Sequence, residues 1–473
     1  MMDGKGRKVG QEKLGRIAQP SPAQPDSDSD PRRWRQILHR TRIHGRDGHK
    51  YTRQCNASGV VGLIDRFHRT DAMALAAGCV LLHRRVAFVD GPARPEAADK
   101  QPYAGPAIGA TWEAHCEGIA AYLRAMEPRP QLAEPPMVSH LSMVRPSPSD
   151  PSVPQNGRPL SSGYIAAADK NLLVLYAGRY RPASSSGGCY LLYDATSNAL
   201  ATIPPVPRSG HYSSVGRGTV VMAAADGGAF VLAELLAWAP DAMLCLWQHG
   251  RWTRRPGRLP AEACPPAHVF GASASFSAGG SLCCWADLLF GLLLCDVAGD
   301  GDPEFRFVPL PDGHAIEIDY RDPHQPSPER FRTMGCVAGA VKFVNIEHGD
   351  PQRRDRSQLK LTTWILDPAR GSWSKETELC VGDLWADESF VSRGLPQVVP
   401  MFPVLSTQQH DVVYVLLHDF DLVDRRVITR AQHLLSVDTR RNKVLSSTTC
   451  THKNEGHLWL DSLFAAEFSA YIQ

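Results

Sequence analysis

The sequence has no apolar N-terminal segment and no apolar run that could span a bilayer. Residues 1–16 are polar and basic, and the two longest apolar runs, residues 229–238 and 282–294, contain Glu234 and Asp287. A membrane span needs about 20 mostly apolar residues, and a secretory signal needs an apolar central region. We therefore expect a protein that is not secreted, does not enter a membrane, and works in the cytoplasm or the nucleus.

The twelve cysteines show no Cys-x-x-Cys spacing. A zinc ribbon or a thioredoxin-like redox site therefore has no support, and in a reducing compartment the cysteines are expected to be thiols. Cys283, Cys284 and Cys295 flank one predicted hairpin, but a metal site needs three or four converging ligands. We predict that these three are small apolar core residues, and we expect no metal and no cofactor.

Familiar catalytic patterns are also missing. The chain has no HExxH, no Walker loop and no Rossmann glycine string, and residues 271–275 lack the last glycine of a nucleophile elbow. His410-Asp411 and His418-Asp419 stand at the two ends of a predicted strand. A general-base pair is one interpretation of them, but the polarity of loops and turns explains them better, so we expect no enzyme.

The N-terminal region carries most of the irregular sequence. Residues 1–31 have almost no aromatic or branched apolar side chains and are predicted to be a disordered basic tail. The region 32–136 is predicted to hold one or more first strands and an Ala-rich segment. Its residues 32–53 contain eight Arg and Lys and one acid, Asp47. They form either a basic arm for nucleic acid or a strand at 34–43 with a charged outer face. Apart from such an arm, we do not expect nucleic acid to be a partner.

A helix and a linker are predicted before the main domain. Residues 111–126 have apolar side chains at mixed helical spacing, with Thr111 as a cap and Pro128 as a stop. Residues 137–162 are rich in Pro and Ser and are predicted to be a linker or long loop. The main domain is therefore expected to run from residue 163 to residue 473, with the N-terminal strand at 34–43 closing it.

A loose repeat of predicted strands fills this main domain. Predicted strands end at Asp194, Trp247, Asp296, Asp367 and Asp438, and about four strands fall in each unit. Such units are typical of propeller blades, and each Asp is predicted to accept backbone N–H groups of the following turn. The predicted fold class is all-β: a propeller-like, kelch-like repeat of antiparallel four-stranded units, with a minor helix in the N-terminal third.

Several motifs of this domain resemble one family. They are Trp285-Ala286-Asp287, residues 291–296, residues 364–367 and residues 382–385, in this order. Together they resemble the plant family called domain of unknown function 1618, which is expanded in grasses. The resemblance covers roughly residues 164–445. It implies no activity, cofactor or catalytic residue, because none is established for that family.

Residues 382–390 contain the best candidate for a functional site. This stretch is predicted to be a long loop with two aromatic side chains among three acids, which suits a partner-binding surface. The alternative is that Trp385 fills the core between two blades, and the apolar neighbours favour this alternative slightly. The candidate residues are Asp383, Trp385, Asp387, Glu388 and Phe390.

The predicted function is that of a non-enzymatic protein-interaction module with unknown protein partners, in plant stress or development. Propellers bind partners through the loops at one face, and nothing in the sequence supplies chemistry. One alternative is a substrate-recruiting adaptor similar to F-box-associated domains. This alternative is weakened because the first 60 residues contain no clear set of F-box helices. The other is a hydrolase or lyase that uses carboxylates on a propeller face.

Overall fold

The computed structural model describes most of the chain after residue 77. The described residues are 78–91, 120–145, 162–177, 189–204, 206, 216, 218–224, 229–265, 268–316, 327–347, 355–423, 426–450 and 463–472. All of them belong to one compact unit, residues 62–473. The predicted tail at 1–31 and the predicted arm or strand at 34–43 lie outside the described residues. No described helix is long and apolar enough to cross a membrane.

Most of the described residues belong to small antiparallel sheets of four consecutive strands, which we call blades. The repeat predicted from the sequence is thereby confirmed. Blade 2 contains β9 (Thr219–Ala223), β10 (Phe230–Trp238), β11 (Asp241–Gln248) and β12 (Arg251–Arg258). Blade 3 contains β13 (Ala274–Ser277), β14 (Leu282–Asp287), β15 (Gly291–Asp296) and β16 (Arg306–Pro309). Blade 4 contains β17 (Arg332–Val337), β18 (Ala340–Ile346), β19 (Lys360–Asp367) and β20 (Ser372–Cys380), and blade 5 contains β21 (Met401–Leu405), β22 (Val412–Val423), β23 (Arg426–Asp438) and β24 (Lys443–Thr449).

Blades 1 and 6 are joined in one nine-stranded sheet. Blade 1 contains β5 (Ser162–Asp169), β6 (Leu172–Ala177), β7 (Cys189–Asp194) and β8 (Ala199–Ile203). Blade 6 contains β25 (Leu463–Ala466), β1 (Val80–His83), β4 (Val138–Arg145) and β3 (Glu127–Gln131), in this spatial order. Strand β2 (Arg85–Asp90) pairs parallel with β4 and antiparallel with β5, and so connects the two blades.

The first strands of successive blades contact one another in sequence. Contacts join β5 to β9, β9 to β13, β13 to β17, β17 to β21, and β21 to β25. The apolar core follows the same order, because each of six buried clusters lies between two neighbouring blades, including blades 6 and 1. The described part of the chain is therefore a propeller-like ring of six blades. This confirms the predicted all-β, propeller-like fold class.

Alternate side chains of one strand enter different clusters. In β15, Leu292 and Leu294 pack between blades 3 and 4, whereas Leu293 and Cys295 pack between blades 2 and 3. Because successive side chains of a strand point to opposite faces, a strand enclosed by two blades must be apolar on both. This explains why its sequence is a continuous apolar run rather than an alternating one.

The ring is closed by pairing between the two ends of the described chain. Leu81 pairs with Ala465, and β1 and β25 run antiparallel over four residue pairs. The sequence-based expectation assigned closure to a strand at 34–43, which lies outside the described residues; the strand that pairs with β25 is β1. Blade 6 is therefore built from residues that are far apart in sequence.

The predicted linker at 137–162 is wrong for its first part. Residues 138–145 form β4, in which Leu141 and Met143 are buried in the cluster between blades 6 and 1. The Pro and Ser content of the stretch concealed this alternation of buried residues. A domain boundary at residue 163 is also wrong, since β2 and β4 share a sheet with β5. Of the predicted helix at 111–126, residues 120–126 are described, and 120–124 of them are helical.

The aspartates at the ends of third strands have the predicted turn role. In each case the Oδ1 atom accepts a hydrogen bond from the backbone N–H two residues further on, at 2.9–3.0 Å. The four residues are Asp194, Asp296, Asp367 and Asp438. Their carboxylates thus hold the turn to the outermost strand, as an Asx turn does.

Leu81→Ala tests the closure of the ring. Leu81 is fully buried between blades 5 and 6, so the substitution should lower the free energy of unfolding by about 2–5 kcal/mol, as in other large-to-small core changes. Denaturant unfolding measures this. The control is Val89→Ala, since Val89 is exposed on β2. A Leu81→Ala protein as stable as its parent would contradict the closure.

Candidate functional site

The candidate stretch at 382–390 forms two short helices rather than the predicted loop. They are α1 (Val381–Ala386) and α2 (Glu388–Val391), between β20 and β21. Asp387 caps α2, because its Oδ1 accepts hydrogen bonds from Ser389 N at 2.8 Å and Ser389 Oγ at 2.5 Å. These bonds lower the pKa of Asp387. A Cβ at Gly382 would lie 2.8 Å from the Ser357 carbonyl oxygen, so the tight approach at the start of α1 requires glycine.

The five candidate residues differ in exposure. Phe390 is only 1% exposed and belongs to the core cluster between blades 4 and 5. We therefore correct its assignment, because a partner cannot reach this side chain. Trp385 is half-buried and packs against the same cluster, and its Nε1 is buried without a hydrogen-bond partner among the described residues. Asp383 and Glu388 are exposed.

Helix α2 covers the start of the outer edge of β24. The Ser389 hydroxyl accepts a hydrogen bond from Val444 N at 2.9 Å. Arg393 joins the two elements, since it donates to the Ser389 carbonyl at 2.5 Å and to the Leu445 carbonyl at 3.1 Å. Such covering removes part of an open strand edge.

Two apolar side chains stay exposed at this junction. Val391 at the end of α2 is 61% exposed, and Leu445 on β24 is 45% exposed. We call Glu388, Val391, Arg393 and Leu445 the α2–β24 surface. Sequence reasoning missed Val391 and Leu445, because an apolar residue in a helix or strand looks like core until the neighbouring elements are known.

A second group of polar residues lies where the first strands of the blades end, and we call it the axial cluster. Its members come from blades 1, 3, 4 and 6. Charges and hydrogen bonds connect them, since the Ser277 hydroxyl donates to the Asp169 carboxylate, and the charge of Asp169 raises the pKa values of Cys336 and Glu467. The members are Asp169, Lys170, Ser277, Cys336 and Glu467.

The two carboxyl groups of the axial cluster hold protons more tightly than usual. Burial raises the pKa of Asp169, although Ala223 N donates to its Oδ2 at 2.8 Å. Burial and the charge of Asp169 both raise the pKa of Glu467. Carboxyl groups with such pKa values suit proton transfer. Sequence reasoning missed this pair, because the two residues belong to blades 1 and 6 and are far apart in the chain.

The His and Asp residues that the sequence singled out serve structural purposes. Asp411 pairs with Arg440 through bonds of 3.0 and 3.1 Å, and His418 Nε2 lies 3.0 Å from Thr429 Oγ1. Asp411 and His418 thus have separate partners, as loop and strand polarity predicts. A general-base pair between them has no support.

The Trp-Ala-Asp motif of β14 anchors the chain that enters blade 3. Asp287 accepts from Gly271 N and Leu289 N, each at 3.0 Å, and its Oδ2 lies 2.7 Å from His268 Nε2. Trp285 is fully buried and donates its indole N–H to the Gly218 carbonyl of blade 2 at 2.7 Å. The carboxylate is buried and occupied by these donors, so the motif stabilises the fold.

A buried carboxyl group connects blades 1 and 2. Glu234 accepts from Tyr190 Oη at 2.8 Å, from Gly216 N at 2.8 Å and from the Thr219 hydroxyl. Burial raises the pKa of Glu234 to about 7 in spite of these donors. A buried acid is tolerated only when it is hydrogen-bonded, which this network achieves.

The three cysteines of the blade 3 hairpin lie in the core, as predicted. Cys283 and Cys295 face blade 2, and Cys284 faces blade 4. Burial raises the pKa of Cys283 well above its usual value and that of Cys295 to about 11. Such thiols are poor nucleophiles. Within the described ranges, no group of three or more His, Cys, Asp or Glu could hold a metal ion.

These features define a β-propeller-like protein with exposed patches on its rim. Residues 285–414 match the model of a family described as "Protein of unknown function (DUF1618)". The resemblance proposed from the sequence motifs is therefore confirmed for these residues. A comparison with curated proteins finds no match.

Several solved structures are similar at low identity. The Dos1 propeller matches with a TM-score of 0.30 and 11% identity, over 62% of this chain and 62% of that one, which is less than two thirds of its length. The polysaccharide lyase Uly1 matches with 0.32 and 9%, over 61% and 72%. A putative TolB from Agrobacterium tumefaciens matches with 0.23 and 12%, over 56% and 76%. At these values the neighbours carry no information about activity.

Glu234→Gln tests the buried carboxyl. Below the ordinary pKa of 4.5, Glu234 is protonated in both the folded and the unfolded chain, so its favourable contribution is complete. That contribution is lost as the pH rises through about 7, and its size is on the order of 3 kcal/mol. Melting temperatures from pH 5 to pH 8 should therefore fall more for the parent than for Glu234→Gln. Parallel curves would contradict the assignment.

Trp385→Ala tests the position of the indole. Because Trp385 is half-buried against the cluster between blades 4 and 5, its loss should cost roughly 2–3 kcal/mol, less than the loss of a fully buried Trp. Thermal melting measures this. Glu388→Ala is the control and should melt like the parent, whereas Asp387→Ala should lose some stability because it removes the cap of α2. An unchanged melting temperature of the Trp385→Ala protein would show that the indole contributes nothing to the core and lies at the surface.

Proposed function

We propose that this chain is a non-enzymatic protein-interaction module whose partner docks on the α2–β24 surface. The observation that carries the proposal is that two apolar side chains, Val391 on α2 and Leu445 on β24, are exposed on the two elements that Arg393 joins. Binding sites commonly combine an apolar centre with a polar rim. Glu388 and Arg393 supply charges of both signs for such a rim.

The rigidity of this surface supports the proposal. Helix α2 is fixed to β24 by two interactions, the hydrogen bond between Ser389 and Val444 and the hydrogen bond from Arg393 to the Leu445 carbonyl. Phe390 anchors it to the core from below. A surface that is already ordered loses little conformational entropy when a partner binds.

The cellular setting belongs to the same proposal. We take the module to act in the cytoplasm or nucleus of a plant cell, in line with the plant family that the motifs resemble. The buried thiols of Cys283, Cys284 and Cys295 suit a reducing compartment. An adaptor that recruits substrates to a ubiquitin ligase is one form of such a module, and co-purification of a ligase scaffold subunit would identify it.

A hydrolase or lyase is the second candidate, and the axial cluster favours it. The charge of Asp169 raises the pKa of Glu467, and a pair of carboxyl groups with different environments can divide acid and base roles. Turnover of a glycosidic or ester substrate by the parent protein, lost in Asp169→Asn, would favour the enzyme over the interaction module.

Affinity purification with substituted baits tests the interaction module. Val391→Asp and Leu445→Asp should each abolish recovery of the partners that the parent protein captures reproducibly, because a buried charge without a partner opposes docking. Val269→Asp is the matched control, since Val269 is 66% exposed in the segment between β12 and β13. Circular dichroism checks that all three variants are folded. Equal recovery by parent and both surface variants would disprove the docking site.

A further inference from the structure

Strand β24, the outer strand of blade 5, lacks the features that protect the other outer strands of the ring. An outer strand has one edge without a neighbouring strand, and proline, charge and short length discourage another chain from pairing with that edge. Residues 445–449 of β24 contain neither proline nor a charged side chain. Because the described residues place no strand beyond β24, this part of its edge is open to pairing.

Each of the other outer strands has some protection. Strand β3 contains Pro128 and Pro130, and β12 contains Pro256 together with four arginines. Strand β16 has four residues and ends at Pro309, and β20 carries one Lys and two Glu. Strand β8 has five residues and is followed by Pro204. Residues 445–449 are therefore the exception among the outer strands.

The hydrogen bonds of β24 show which of its backbone groups face the open edge. In an antiparallel pair of strands, opposite residues exchange N–H···O bonds at every second position. Cys450 N donates at 2.8 Å to the carbonyl of Gln432, which is opposite it in the register of β23 and β24. Every second residue before Cys450 is therefore bonded to β23 in the same way. The N–H and C=O groups of the residues between, Ser447 and Thr449, point away from β23.

The open part of this edge is bounded at both ends. At its beginning, Ser389 and Arg393 form hydrogen bonds with backbone groups of residues 444 and 445. At its other end, β24 stops one residue after Thr448. The two residues whose backbone groups remain outward-facing thus lie one on either side of Thr448.

We propose that two copies of this chain pair through β24, antiparallel, about a two-fold axis at Thr448. This axis places Ser447 of each copy opposite Thr449 of the other copy, so each such pair exchanges both N–H···O bonds. The edge matches itself because its outward-facing groups are symmetric about one residue. A self-matching surface is what a two-fold dimer requires, and such dimers are the commonest assemblies.

The side chains of this edge also suit a second copy. Pairing about the axis brings each side chain near its own counterpart, and like charges opposite one another are destabilising. Residues 446–449 carry only hydroxyl side chains, and cross-strand pairs of Thr and Ser are favourable. The dimer needs backbone atoms of β24 rather than the side chains of Val391 and Leu445. It therefore goes beyond the proposed function and can fail separately.

Light scattering during size-exclusion chromatography of the full chain tests the dimer. The parent should show a dimer fraction that rises with protein concentration. Ser447→Pro should remain a monomer, because it removes an outward-facing N–H that β23 does not use, and an edge strand tolerates such a proline. Ser447→Ala is the matched control. It keeps the N–H and should form the dimer like the parent.

A pair of charge variants tests the position of the axis. Thr448→Lys alone and Thr448→Glu alone should each lose the dimer, because the axis places identical charges opposite one another, and an equimolar mixture of the two should form it again. Val89→Lys and Val89→Glu, at an exposed position of β2, should each dimerise like the parent. The charge variants also decide the matter if Ser447→Pro does not fold, which thermal melting shows.

Three results would overturn the proposal: a parent that is monomeric at every concentration, a dimer that persists in folded Ser447→Pro, or a mixture of the Thr448 variants that stays monomeric. In a monomeric parent, hydrogen exchange identifies the true occupant. Slow exchange of the Ser447 and Thr449 amides in the isolated chain would mean that the chain itself covers the edge. Slow exchange only with a captured protein would mean that a strand of that protein does. A monomeric parent leaves the affinity purification with Val391→Asp unaffected.

Discussion

The packing of every blade between two neighbours is the constraint on which the rest of this structure depends. Six apolar clusters lie between successive blades, so the inner strands are buried on both faces, and the two clusters on either side of blade 6 are complete only when the ring is closed. Pairing of β1 with β25 supplies this closure. Residues 138–145, which by composition suit a linker, are needed as β4 for the same reason.

Polar groups inside the ring are there because they connect blades. Trp285 donates to the Gly218 carbonyl of the preceding blade, and Arg332 donates to the Leu288 carbonyl of the blade before it. Glu234 and Asp287 fix the chain that enters their own blades. Because buried polar atoms are costly without partners, these residues are committed to structure. The groups left for function lie on the rim and at the axial cluster.

The repeat was predictable from the sequence because its signals are local. Apolar runs that end in Asp at positions 194, 296, 367 and 438 identify third strands and their turns, and an Asx turn involves a side chain and a backbone group only two residues apart. The core role of Cys283, Cys284 and Cys295 followed from the same apolar runs. The candidate site was less predictable: residues 382–390 were expected to form a loop, and Phe390 was expected at a surface.

The sequence by itself determined the all-β class, the four-stranded unit and the turn aspartates, since each depends on neighbours within a few residues. Only the tertiary structure decided which strands close the ring, that Phe390 is core while Val391 and Leu445 are exposed, and that the charge of Asp169 raises the pKa of Glu467. These features depend on contacts between residues far apart in the chain. Burial of an apolar side chain, or the pKa of a carboxyl group, is fixed by what the fold places around it.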